Sequence, residues 1–182
     1  MIAIGVYTKK MFFTSLLALA TVVCFQTSSF AQSYEKGDKL LNLGVGLGTY
    51  GAGGIGLGGS FEYGIHEAIS VGVIGGYSGR SNYLKSGGRW SVLTIGARGS
   101  YHFNELLKLG DDKIDLYAGL GLGYRNISWS YSGFGGYNDS WGSGIMFIGH
   151  IGGKYYFKPN LGVFAELGSG FGTLQAGLAF KF

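Results

Sequence analysis

The feature that most constrains this chain is a period of two. From Asp38 onward, apolar residues alternate with glycine or polar residues in eight successive runs. In the first, Leu41, Leu43, Val45 and Leu47 alternate with Asn42, Gly44, Gly46 and Gly48. Corresponding runs follow at 55–65, 69–78, 93–103, 116–125, 144–157 and 161–168, and the last places Leu174, Ala176, Leu178, Phe180 and Phe182 against Gln175, Gly177 and Lys181. This spacing puts each apolar set on one face of a β-strand. Most runs hold about 9–11 residues, the length of a tilted strand that crosses a bilayer. Glycine makes up 37 of the 182 residues, and each interior glycine costs a helix about 1 kcal/mol. Beyond the N-terminal segment no run nears the ~18 uninterrupted apolar residues of a helical span. The expectation is an all-β chain.

Which face points inward decides the class. A soluble barrel buries its apolar set and shows Lys, Glu, Asp and Thr to water. Here the non-apolar face is mostly glycine with a few charges. Small residues suit the crowded lumen of a narrow barrel, where side chains from every strand converge. Leu, Val, Ile, Phe and Tyr pointing outward then need lipid. The barrel must also close, because an open edge in hydrocarbon leaves N–H and C=O groups unpaired.

Residues 1–31 read as an address. Lys9 and Lys10 precede the apolar run Met11–Phe25, and Ser29 and Ala31 flank Phe30 in the pattern of a signal-peptidase site. The run is too short to span a bilayer as a helix. Val23 before Cys24 is bulkier than lipoprotein processing wants. Cleavage after Ala31 leaves residues 32–182 as one barrel domain without cysteine. The mature chain loses two of fourteen basic residues and no acid, so twelve bases against ten acids leave +2. That balance gives no sign of nucleic-acid binding.

Tyr63, Tyr101, Phe103, Tyr155, Phe157, Phe180 and Phe182 all lie on apolar faces near strand ends on one side of the barrel, the placement of an interfacial girdle. Short turns are expected on that side at 64–68 and 157–160, with a longer connection at 104–113 that carries a helical turn. Loops are expected on the other side at 49–54, 79–89 and 127–143, and a very tight one at 168–172. Over the mature chain, roughly Tyr34 to Phe182, this pattern resembles the small eight-stranded outer-membrane β-barrel proteins of Gram-negative bacteria. Alternating apolar residues ending in Phe180 and the C-terminal Phe182 look like that family's signal to the barrel-assembly machinery. The resemblance implies an antiparallel up-and-down transmembrane barrel in the cell outer membrane. It implies a monomer surrounded by outer-membrane lipid, in a structural, adhesive or host-factor-binding role, without choosing among these.

Six charged or titratable residues fall on the lumenal face: Glu62, Arg98, Arg125, His150, Lys154 and Glu166. A charge in so narrow a space must be paired or hydrated. Glu62 with Arg98, and Glu166 with Lys154, are the expected pairs, forming a polar plug; a conductance network is the alternative. In the longest loop Trp129, Tyr131, Phe134, Tyr137 and Trp141 stand among Ser, Gly and Asn. That composition fits a surface-ligand contact or an aromatic rim in the outer-leaflet interface.

Nothing reads as an active site or a cofactor site. Gly51–Gly56 matches G-x-G-x-x-G, but a strand follows where dinucleotide binding needs a helix. His66, His102 and His150 are scattered and carry no metal-ligand spacing. The sequence therefore points to a non-enzymatic barrel without cofactor, metal or nucleic-acid partner. A secreted soluble barrel holding a lipophilic ligand and a small narrow pore are the alternatives.

Overall fold

In the computed structural model the described residues are 34–48, 54–83, 88–108, 112–131, 138–139 and 143–182. The segment 1–31, expected to be a signal peptide, lies outside them. Eight long strands form the wall: β1 (Lys39–Leu47), β2 (Ile55–His66), β3 (Ile69–Tyr83), β4 (Gly88–His102), β5 (Ile114–Tyr131), β7 (Gly144–Lys158), β8 (Leu161–Gly168) and β9 (Leu174–Lys181). β6 (Asn138–Asp139) is a two-residue strand that pairs only with β5. Every pairing among the described strands is antiparallel; the long strands pair in chain order, β5 with β7 across the short β6, and β1 pairs with β9 to close the ring. Leu43 sits opposite Leu178, and Lys39 and Phe182 exchange backbone hydrogen bonds of 3.1 and 3.0 Å. The wall has no open edge, which is what hydrocarbon demands of a spanning sheet.

The alternation sorts inside from outside. Leu57, Ile95, Leu120, Ile145 and Phe147 point away from the barrel and are 62–84% exposed. Their neighbours in the chain, such as Thr94 and Ile148, are buried. An apolar belt that wraps the exterior, over a lumen lined with polar groups and glycine, needs a lipid surround rather than water. Among the described residues no helix is long and apolar enough to cross a membrane.

The start of β1 and the end of β9 share one end of the barrel with the two-residue turns Glu67–Ala68 and Pro159–Asn160. Tyr63, Tyr101, Tyr155, Phe157 and Phe182 ring this end at 41–49% exposure, with Phe103 and Phe180 half-buried. The connection after β4 makes helix-like hydrogen bonds, Leu107 N to Phe103 O at 2.8 Å and Lys108 N to Glu105 O at 3.1 Å.

At the far end the structure differs from the sequence reading. Segments 79–89 and 127–143, expected as loops, are partly wall: β3 runs on to Tyr83, β4 begins at Gly88 and β5 continues to Tyr131. The register holds as far as Ser81 opposite Arg89 and Trp90 opposite Trp129, and it shifts by a bulge before Tyr83 meets Gly88. Apolar alternation marks only the part of a strand that faces lipid. Beyond it the strand continues by backbone pairing alone, without the pattern that reveals it.

Segment 168–172 is the short connection expected, but its course is not legible in the sequence. It turns back into the barrel and puts Phe171, 3% exposed, inside the lumen with Ile74 and Ile148. A side-chain carbon at Gly58 or Gly76 would overlap Phe171. Those two glycines make the socket for the ring.

Candidate functional site

The lumen concentrates the titratable side chains. They fit because large and small residues alternate around the ring: Glu62 on β2 lies opposite Gly72 on β3, which lies opposite Arg98 on β4, which lies opposite Gly121 on β5. Likewise Tyr117 on β5 faces Gly152 on β7, and Gly152 faces Glu166 on β8. A Cβ at Gly152 would come within 2.8 Å of the Tyr117 hydroxyl. Each bulky inward group thus reaches over a bare strand, as close packing requires.

Arg98 is the hub. Its Nη1 and Nη2 donate to Glu166 Oε1 and Oε2 at 3.0 and 2.8 Å, a bidentate pair across the lumen. Its Nε lies 3.1 Å from Glu62 Oε1, an ion contact without hydrogen-bond alignment. Tyr117 Oη donates to Glu166 Oε2 at 3.1 Å. The expected partner of Glu62 is therefore present, but Glu166 is not paired with Lys154. Lys154 Nζ instead donates to Asp115 Oδ2 at 3.2 Å and lies 4.6 Å from the Tyr117 ring centre. The guanidinium fork matches a carboxylate at two points where an ammonium offers one, so Arg98 takes the second acid as well.

A seam of hydroxyls and imidazoles completes the layer. Ser70 Oγ and Ser100 Oγ each donate to Glu62 Oε2 at 2.6 Å. Ser70 Oγ is 3.0 Å from His102 Nε2, and His102 Nδ1 is 2.7 Å from Asp115 Oδ1. Ser100 Oγ is 2.9 Å from His150 Nε2. Ser70, His102 and Asp115 thus have the spacing of a nucleophile, a base and its orienting acid. Ser70 is fully buried, however, and Tyr34 covers the terminal end of the seam, its ring stacked on His102 at 3.5 Å and 3°.

Tyr34 is held by its hydroxyl, which donates to the His66 carbonyl at 2.9 Å. Burial, with Asp115 and Asp38 nearby, pushes its phenol well above the ordinary range. It therefore stays neutral. Asp38 accepts from the Glu35 N–H at 2.9 Å and lies 3.7 Å from Lys181. Burial raises its carboxyl above the usual carboxylate range despite Lys181.

Of the six lumenal residues singled out in the sequence, five share this layer. Arg125 is separate and half-buried, its Nη2 donating to Met146 Sδ at 3.0 Å. Ser70, Ser100, His102, Asp115 and Tyr117 also belong to the cluster, although the sequence reading left them out of it. The signal was available, since Asp115 and Tyr117 share the parity of Arg125, but Asp115 precedes the apolar run by which the strand is recognised. Tyr34 and Phe171 lie outside any run and had no such signal. Trp129 and Tyr131 occupy the outer extension of β5, Trp129 opposite Asp139 as well as Trp90. Phe134, Tyr137 and Trp141 lie outside the described residues. No group of three or more His, Cys, Asp or Glu side chains among the described residues could hold a metal ion.

Among solved structures the chain is similar to the N-terminal β-barrel domain of Pseudomonas aeruginosa OprF, with a TM-score of 0.55 and 18% identity over 82% of this chain and 100% of that one. Neisserial surface protein A (NspA) is similar too, at 0.52 and 18% over 80% and 94%. The fold is that of the eight-stranded outer-membrane β-barrels. At these identities the likeness is one of fold. Neither a protein-family model nor a curated protein sequence matches the chain.

Proposed function

We propose that the protein is a closed, non-enzymatic outer-membrane barrel whose role is structural or is exercised at its outer surface, not by flow or chemistry in its lumen. The observation that carries this reading is the filled bore. Phe171, Ile74 and Ile148 occupy its far half, and Arg98, bound to Glu62 and Glu166, bridges its middle. Eight strands enclose room for side chains and little else. A soluble carrier would need the reverse arrangement, with polar groups outside and an apolar cavity within. A hydrolase would need its serine open to substrate, and Ser70 is not.

In this reading residues 1–31 direct export and are removed, and Phe180 and Phe182 present the assembly signal. The aromatic segment from Trp129 to Trp141 either contacts a surface ligand or sits in the outer-leaflet interface. Purified full-length barrel in a planar bilayer tests the closed lumen. The expected record is a flat baseline, and a steady open level would refute the closure. Replacing Trp129 and Trp141 with Ala separates the two loop readings: lost cell adhesion at unchanged barrel stability favours a ligand contact, and a stability loss alone favours the rim.

A further inference from the structure

The buried layer contains three carboxylates, Glu62, Asp115 and Glu166, but only two permanent cations, Arg98 and Lys154. Lys181 is engaged elsewhere, with Asp38 at the terminal end. A charge left unbalanced in a dry lumen costs several kcal/mol, so a third cation is called for. Hydrogen-bond accounting locates it.

Ser70 has one hydroxyl proton, and that proton goes to Glu62 Oε2, a carboxylate oxygen at 2.6 Å with nothing to donate. Towards His102 the Ser70 oxygen can then only accept, so His102 Nε2, 3.0 Å away, must carry a proton. On the other side of the ring, Asp115 Oδ1 at 2.7 Å also only accepts, while Asp115 Oδ2 takes a proton from Lys154. His102 Nδ1 must carry a proton too. His150 provides an internal contrast. Its Nε2 donates to Ser100 by the same reasoning, since Ser100 also gives its proton to Glu62, but its Nδ1 has no hydrogen-bond partner. One ring donates twice and the other once.

We infer that His102 is an imidazolium in the folded barrel, the third cation that makes the lumenal layer electrically neutral. Its surroundings agree from every packed side. Glu62 acts from β2 through Ser70 of β3, Asp115 binds directly from β5, and Lys154 of β7 is separated from it by Asp115. The uncharged Tyr34 ring stacks on its face in parallel contact at 3.5 Å, and the Tyr117 ring lies tilted 5.8 Å away, an arrangement that favours a cationic ring. The Ser70–His102–Asp115 series therefore runs its protons in the direction opposite to a hydrolytic triad. There the imidazole must take the serine's proton; here it gives one to the serine oxygen.

This inference deepens the reading of a chemically idle lumen and rests on it. It is tested by long-range 1H–15N correlation of the histidine rings in the 15N-labelled, full-length barrel folded in detergent micelles at neutral pH. His102→Asn and His150→Asn variants, each losing one set of signals, assign the rings. The expected spectrum shows both His102 nitrogens protonated and His150 with one protonated and one pyridine-type nitrogen. A pyridine-type nitrogen on His102 overturns the assignment and restores a hydrolase-like proton arrangement. If the assignment variants do not fold, Asp115→Asn serves instead: it should convert one ring from two protonated nitrogens to one. An unchanged doubly protonated ring would also count against the inference. None of these outcomes bears on conductance, so failure of the closed lumen is read separately in the bilayer recording.

Discussion

Replacing Arg98 with Met removes the hub while keeping most of its length. Two carboxylates, Glu62 and Glu166, then lose their cation within a layer where the Arg98 side chain is 1% and both acids 2% exposed. The cost depends on whether that layer is dry. At about 4 Å an ion pair is worth about 4 kcal/mol at an effective dielectric near 20 and about 1 kcal/mol in bulk water. Removing one partner of a buried pair costs about 3–5 kcal/mol. Arg98→Met should therefore lower the unfolding free energy of the refolded barrel by about 3–5 kcal/mol, read from urea titration in detergent micelles with the heat-dependent gel shift as a second probe. Adding Glu166→Gln in the same chain should recover most of the loss, because the two remaining carboxylates, Glu62 and Asp115, are then balanced by Lys154 and His102. A loss of about 1 kcal/mol or less would refute the reasoning. It would mean that water hydrates the two acids, and a hydrated bore would also undercut the closed lumen.

Three further outcomes follow from other parts of the wall. On β3, Gly72 faces the lumen, where a Cβ would overlap the Phe61 carbonyl, whereas Gly75 faces outward with its nearest neighbour 3.8 Å away. Gly72→Ala should abolish refolding as judged by the gel shift, and Gly75→Ala should refold as the parent does; equal behaviour would contradict the assigned faces. Phe171→Ala should cost about 3–5 kcal/mol, as large-to-small changes in packed interiors do, yet leave the bilayer baseline flat because the Arg98 layer still closes the bore; steady conductance would make Phe171 the sole stopper. Asp38 has its carboxyl raised by burial, so the folded barrel binds that proton more tightly than the unfolded chain. Its contribution to stability is then fully present below about pH 4 and declines as pH rises through the folded value. In Asp38→Asn the drop in unfolding midpoint between pH 4 and pH 7 should shrink relative to the parent, and an undiminished drop would assign the dependence to other groups.

The sequence by itself determined the wall. Alternation at Leu41–Leu47 or Leu174–Phe182 gives the strand, its faces and its approximate length, because side-chain direction in a strand has a strict period of two and lipid rewards one face uniformly. It also put Glu62, Arg98, His150, Lys154 and Glu166 on the inner face, since parity alone decides that. Parity cannot supply the angular and axial positions that closure creates. That Arg98 reaches Glu166 three strands away, that Lys154 turns to Asp115, and that Ser70 and Ser100 converge on one oxygen of Glu62 all depend on ring order and stagger. Phe171 and Tyr34 belong to no strand, and they enter the bore only because Gly58 and Gly76 leave a socket at one end and His102 offers a flat face at the other. Period and polarity are local properties of a chain. The partners across a lumen exist only once the first strand has met the last.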